Sequence, residues 1–172
     1  VLVLAEGEAF PARLGEASGL SADPARWSDD EAIAAIARAG DDLPGDLVVG
    51  DEAAKRVYDA WANGAPPIPR AERARVYPEL AGRAIAGVVP GGIVGGEQPK
   101  FAALVADAVG GARNVLVKFS PSEYSTSARR WCDLLVCEHL AHETMRAKGW
   151  AAAGSEIVEG GSRVFLEVER FD

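Results

Sequence analysis

The chain has 172 residues, 48% hydrophobic and 26% charged, which is the balance of an ordinary globular protein with room for one domain or two small ones. Its formal net charge of −8 repels nucleic-acid phosphates and argues against direct nucleic-acid binding across a broad face. No apolar run reaches the roughly 20 residues a membrane helix needs, and no basic-then-apolar leader is present, so the expectation is a cytoplasmic chain without membrane contact.

Val1–Leu4 predicts a strand and Glu6-Gly7-Glu8 a turn. Ser28-Asp29-Asp30-Glu31 is a capping box, in which the serine caps a helix start and the glutamate reaches back to it. The helix it opens carries Ile33, Ile36 and Ala37 on one face and stops at Gly40. Leu43-Pro44-Gly45-Asp46 predicts a turn and Leu47–Val49 a short buried strand. A second helix covers Glu52–Trp61, bounded by Asn63-Gly64. Ala65–Arg70 is proline-rich and predicts an extended connector. Helix follows over Ala71–Val76 and again over Pro78–Ala86, with Pro78 in a first helical turn. The basic stretch Arg70–Arg75 reads as the solvated face of a short helix.

The second half changes character. Val88–Lys100 is glycine-rich, Phe101–Ala106 predicts a strand, Gly110-Gly111 a hairpin turn, and Asn114–Phe119 a second strand. Alternation along that strand puts Val115, Val117 and Phe119 on one face and Leu116 and Lys118 on the other. Ser120–Ser127 is a polar loop that reads as solvated, Ala128–Lys148 a long helix ended by Gly149, and Ile157-Val158, Gly160-Gly161 and Arg163–Val168 a closing hairpin. The chain opens inside one strand-like run and stops just after another, so it is expected to be a fragment or the ordered part of a longer protein.

Three features point to phosphate chemistry. Gly91, Gly92, Gly95 and Gly96 allow a backbone loop to approach an anion closely, with consecutive N–H groups as a nest. No Walker A lysine and serine follow, and no strand–helix G-x-G-x-x-G is present. Lys118 stands late in an apolar strand, in a Val-Leu-Val-Lys string that echoes the Val-Ala-Ile-Lys strand of protein kinases. On the long helix, spacing groups Leu134 or Leu135, Glu138, Ala141 or His142, and Met145 in one stripe. A carboxylate there needs a partner, and Lys118 can supply it. For each feature a plainer reading exists: a glycine turn, an exposed strand lysine, a solvated helix glutamate.

Gly95-Gly-Glu-Gln-Pro-Lys100 resembles the glycine-loop signature of HipA-family serine/threonine protein kinases, and Val168-Glu-Arg-Phe-Asp172 resembles that family's hinge. The likeness runs from about Gly91 to Asp172 and is looser over Trp27–Asp51. The resemblance implies an α+β fold. A helical N-terminal subdomain (1–86) would precede a kinase-like small lobe (87–172) with an antiparallel sheet and one long helix. It implies ATP with magnesium as cofactor, held by Val94, Gly95, Gly96, Glu97, Gln98 and Lys100 over the phosphates. Lys118 would contact a phosphate and Glu138 would orient it. The backbone of Glu169 and Phe171 would meet adenine, with Asp172 near the ribose. It further implies a protein substrate such as an aminoacyl-tRNA synthetase, a DNA-binding antitoxin as partner, and magnesium ligands and a catalytic base on a large lobe outside this chain. Ile93 stands where many members carry a regulatory serine. The alternative function is a non-catalytic kinase-like module that binds an antitoxin or regulates a kinase.

Cys132, Cys137, His139 and His142 share one helix and fan around its axis, so they are not expected to converge on a metal, nor the cysteines to pair. Thiols left free fit a reducing compartment. The four tryptophans are expected in the core or lining a groove.

Overall fold

A computed structural model describes residues 19–21, 23–39, 48–85 and 98–170. The helices are α1 (Asp29–Ala39), α2 (Asp51–Asn63), α3 (Arg73–Ile85) and α4 (Thr126–Ala147), and the strands are β1 (Lys100–Ala106), β2 (Ala112–Phe119), β3 (Ser155–Gly160) and β4 (Arg163–Glu169). The fold is α+β, with one antiparallel sheet in the order β1-β2-β4-β3. Two compact units divide the chain, one carrying α1 and α2, the other starting at Pro66 and carrying α3, α4 and the sheet. This division precedes the 86/87 boundary read from the sequence, because α3 buries Tyr77 and Ala81 in the sheet's own core.

In the first unit the capping box forms as read. The Ser28 N–H donates to Glu31 Oε2 at 2.8 Å and the Glu31 N–H to Ser28 Oγ at 3.3 Å. These bonds hold the Glu31 carboxyl below its usual range, the backbone contact from Ser28 contributing most. The buried side of α1 is Ala35 and Ile36, while Ile33 is exposed, which corrects the expected face. Val48 and Val49 are exposed and in no strand, so the buried strand expected there is not found over these residues. The strand at Val1–Leu4, the turns at Glu6–Glu8 and Leu43–Asp46, and Gly40 lie outside the described residues.

The second unit is built on alternation. Val115, Val117 and Phe119 are buried on one face of β2, with Leu116 and Lys118 on the other, as the period of two requires. Asp107 closes the β1–β2 hairpin, its Oδ1 accepting from the N–H groups of Val109 (2.9 Å) and Gly111 (2.7 Å). The proline-rich connector is extended and adds a one-residue parallel bridge, Ile68 to Val105, along the edge of β1. Gly161 and Ser162, both at positive φ (55° and 60°), make the β3–β4 turn, one residue later than expected.

Helix α3 covers the face that holds Val117. Tyr77 stacks edge-on against Phe101 (5.5 Å between centroids) and Phe165 (5.6 Å). Each such side chain, fully buried, contributes about 1.5–3 kcal/mol. The sequence placed Pro78 in the first turn of a separate helix; it lies inside the continuous helix Arg73–Ile85. Proline has no N–H, so the Ala74 carbonyl four residues earlier loses its helical donor. Gly160 packs against that carbonyl so closely that an added Cβ would sit 2.1 Å from the Ala74 oxygen. The missing helical bond therefore falls where the hairpin lies on the helix, and tertiary packing outweighs the local cost.

Helix α4 begins at Thr126, two residues before the expected start, because Ser125 caps it by accepting from the Ala128 N–H at 3.0 Å. Ser120 is fully buried and not part of a solvated loop. It exchanges bonds with β4, accepting from the Val164 N–H at its Oγ (3.0 Å) while its own N–H donates to the Val164 carbonyl (3.0 Å). Trp27 and Trp131 are partly buried, but Trp150 is 65% exposed, against the expectation for the tryptophans.

Candidate functional site

Two of the residues singled out for phosphate chemistry, Lys118 and Glu138, meet on the sheet face that carries Leu116. Lys118 Nζ donates to Glu138 Oε1 at 2.5 Å. Their side chains are 22% and 32% exposed, so water still reaches the pair. A pair of this exposure contributes no more than about 1 kcal/mol to folding; its main consequence is that the lysine is held in one place. Helix spacing explains why the acid arrives there: Leu135 is buried, Glu138, His142 and Met145 are partly buried on the same side, and Leu134 faces solvent. His139 Nδ1 lies 2.9 Å from Ser155 Oγ, which ties α4 to β3.

Helix α4 lies mainly over β3 and β4, leaving the β1–β2 half of this face less covered. There Lys100 stands directly opposite Lys118 in the β1–β2 ladder. Burial first, and the Lys118 charge second, push the Lys100 ammonium below the ordinary lysine range, with Glu138 partly opposing. Beside the two lysines along the strands lie Ala102 and its cross-strand partner Leu116, then Val168 opposite Leu116. All three are partly buried, and Leu104 next along β1 is 39% exposed. Two cationic tips thus border an apolar floor that is open in part to solvent.

Of the other residues assigned to nucleotide binding, Gln98 is partly buried just ahead of β1. Glu169 ends β4, with its N–H donated to the Gly154 carbonyl at 2.8 Å. Val94, Gly95, Gly96, Glu97, Phe171 and Asp172 lie outside the described residues, as do the four loop glycines. Cys132 and Cys137 are free thiols. Among the described residues no three metal-ligating side chains gather at one place.

A second polar cluster, on the α3 face, was not anticipated. Glu167 is 1% exposed and accepts from Tyr77 Oη (2.5 Å), Arg73 (3.1 Å) and Arg113 (2.8 Å). Arg73 also donates to the Ala106 carbonyl at 2.7 Å, and Arg70 pairs with Glu156 at 2.5 Å. Burial, then the bond to Glu167 and its charge, raise the Tyr77 phenol well above its ordinary range. No local signal marks this cluster, since Arg73 and Glu167 are 94 residues apart. Only the charge at Glu167, inside the apolar run of β4, hints at a buried partner.

Residues 6–58 match the family model of the YjjJ-like toxin, middle domain. The chain is 33% identical over 169 residues to Toxin YjjJ of Escherichia coli (strain K12), an alignment that takes in 96% of this chain. The chain spans 37% of the length of that curated relative. No solved structure matches the chain. The resemblance to the HipA-type kinases is thereby corrected: both matches are to YjjJ-type toxins. The two strings that carried the resemblance are short and constrain far fewer positions than an alignment over nearly the whole chain.

Proposed function

We propose that this chain is the nucleotide-binding portion of a toxin that acts as a protein kinase, moving the γ-phosphoryl group of ATP to a serine or threonine hydroxyl. The observation that carries the reading is the Lys118–Glu138 contact at 2.5 Å on the open half of the sheet face. Phosphoryl transfer needs little covalent chemistry from a protein. It needs phosphates held in line and charge stabilised as it develops, and a lysine fixed by a glutamate is a recurring device for that. The toxin part rests on the similarity to Toxin YjjJ.

The described residues fit a nucleotide. Lys118 and Lys100 offer ammoniums to phosphate oxygens, while Ala102, Leu116 and Val168 offer a flat apolar surface to a base. Positions two apart on a strand are separated by about 6.6–6.8 Å, so cation and apolar floor are adjacent yet distinct. Bound magnesium would neutralise phosphate charge. Lys118 holds the oxygens and Glu138 holds Lys118.

The test is made on the longer protein. Titration calorimetry with Mg–ATP should show binding, and Lys118→Met should abolish both phosphoryl transfer to protein and growth arrest on expression while the variant still folds. No heat with Mg–ATP, or an active Lys118→Met variant, overturns the reading. A binding-only module draws on the outer side of α4, where Leu134 and Leu140 are 50% and 56% exposed. Under that reading Lys118→Met stays toxic and Leu140→Asp does not.

A further inference from the structure

The open half of the α4 face has an order along it. Residues of β2 that share this face recur at every second position, about 6.6–6.8 Å apart. Starting from the cationic end they are Lys118, Leu116 and Asn114. Asn114 stands opposite Leu104 of β1, which is 39% exposed, and is itself open to solvent. Its backbone is fixed from both sides. It is held in register with Leu104, and its carbonyl accepts from the Arg170 N–H, just past β4, at 3.1 Å. Asparagine is depleted in strands, where a short amide packs poorly against apolar neighbours. A ligand lying along β2 gives it a purpose: of the three side chains in this row, only its amide can both donate and accept.

We infer that Asn114 reads the edge of the base of a bound nucleotide and sets a preference for adenine. The inference rests on the nucleotide reading above and gives that site its specificity-determining residue. Cation, apolar floor and amide follow one another along β2 in the order in which phosphates, base face and base edge follow in a nucleotide. A side-chain amide presents a donor and an acceptor in one plane. Adenine complements both, with the N6 amino group as donor and N7 as acceptor along one edge. Guanine offers two acceptors there, N7 and O6, so the amide carbonyl would face an oxygen and one partner would go unbonded. The fixed backbone of Asn114 holds the amide in place before a ligand arrives, which sharpens that difference.

Titration calorimetry of the longer protein with Mg–ATP, Mg–GTP, 7-deaza-ATP and inorganic tripolyphosphate tests this, for the native chain and Asn114→Ala. The position is exposed, so the variant is expected to fold. A bidentate contact between an amide and adenine is worth about 5- to 150-fold in binding. The native chain should prefer ATP to GTP by a factor in that range, and Asn114→Ala should bring the two within about twofold of each other while binding tripolyphosphate as the native chain does. Removing the N7 acceptor, as 7-deaza-ATP does, should weaken binding to the native chain by about 2- to 10-fold and have no effect on Asn114→Ala. A native chain that binds ATP and GTP alike, or an Asn114→Ala variant that keeps the native preference, overturns the inference and leaves the nucleotide reading intact. A variant weakened equally toward all four ligands marks a structural role and overturns it as well. If the native chain binds none of the nucleotides, the nucleotide reading fails and the role of Asn114 falls with it.

Discussion

The two faces of this sheet draw alternate residues from the same strands and are built for different ends. Beneath α3, Phe101, Val117 and Phe165 are sealed around Tyr77, and the Arg73–Glu167 pair among them is dry. Beneath α4, one residue further along each strand, Lys118 meets Glu138 within reach of water; its cross-strand neighbour Leu166 is buried, but Ala102, Leu116 and Val168 are only partly covered. Strand periodicity allows this division: Val117 and Lys118, or Leu166 and Glu167, are adjacent in sequence yet point to opposite sides. Groups that fix the fold can thus be buried without covering the groups proposed to receive a ligand. The comparison also shows that charge does not mark a site by itself. The most buried ionic cluster of the second unit lies on the face that holds the fold together.

If the faces are divided in this way, substitutions should separate stability from ligand binding. The largest loss of stability is expected from Glu167→Ala, which leaves Arg73, Tyr77 and Arg113 without their shared acceptor; removing one member of a buried charge network costs about 3–5 kcal/mol. Urea titration followed by circular dichroism would show it, and a loss below 1 kcal/mol would mean the cluster is not dry. Tyr77→Phe should cost about 2 kcal/mol, since its hydroxyl donates to a carboxylate. That difference has a pH signature. The phenol's folded pKa is raised, so its contribution is complete below the ordinary tyrosine value of 10.0 and is lost as pH rises beyond it. Melting curves of the native chain and Tyr77→Phe should therefore converge at alkaline pH.

Gly160→Ala should cost about 1–3 kcal/mol, because the new methyl group meets the backbone oxygen of Ala74 and the hairpin must shift off α3. Lys118→Met, on the other face, should change stability least, by under about 1 kcal/mol, while removing the response to Mg–ATP. A large stability loss from Lys118→Met with nucleotide binding retained would erase the distinction between the faces.

Much of the local structure was legible in the residues. The capping box at Ser28 and Glu31, the alternation along β2 and the glycine turn after Asp107 each depend on neighbours a few positions apart, and each forms as read. The meeting of Lys118 and Glu138 was legible too, because a carboxylate on the inward stripe of a helix needs a cation and the preceding strand presents one. Misreadings came where distant contacts overrule local preference. Pro78 looked like a helix start, Ser120 like solvated loop, and Ile33 like core. None of these could be judged without knowing what packs there: the β3–β4 hairpin on Pro78, or β4 bonded to Ser120.

By itself, then, the sequence determined the alternation along β2, the cap at Ser28 and the turn after Asp107, since these follow from backbone geometry and side-chain chemistry within a few residues. Only the tertiary structure decided which face α3 would seal, that Glu167 would find its three donors there, and that Lys100 would stand across from Lys118. Strand order and the seating of a helix are set by contacts between residues far apart in the chain, and no local pattern encodes the distance between them.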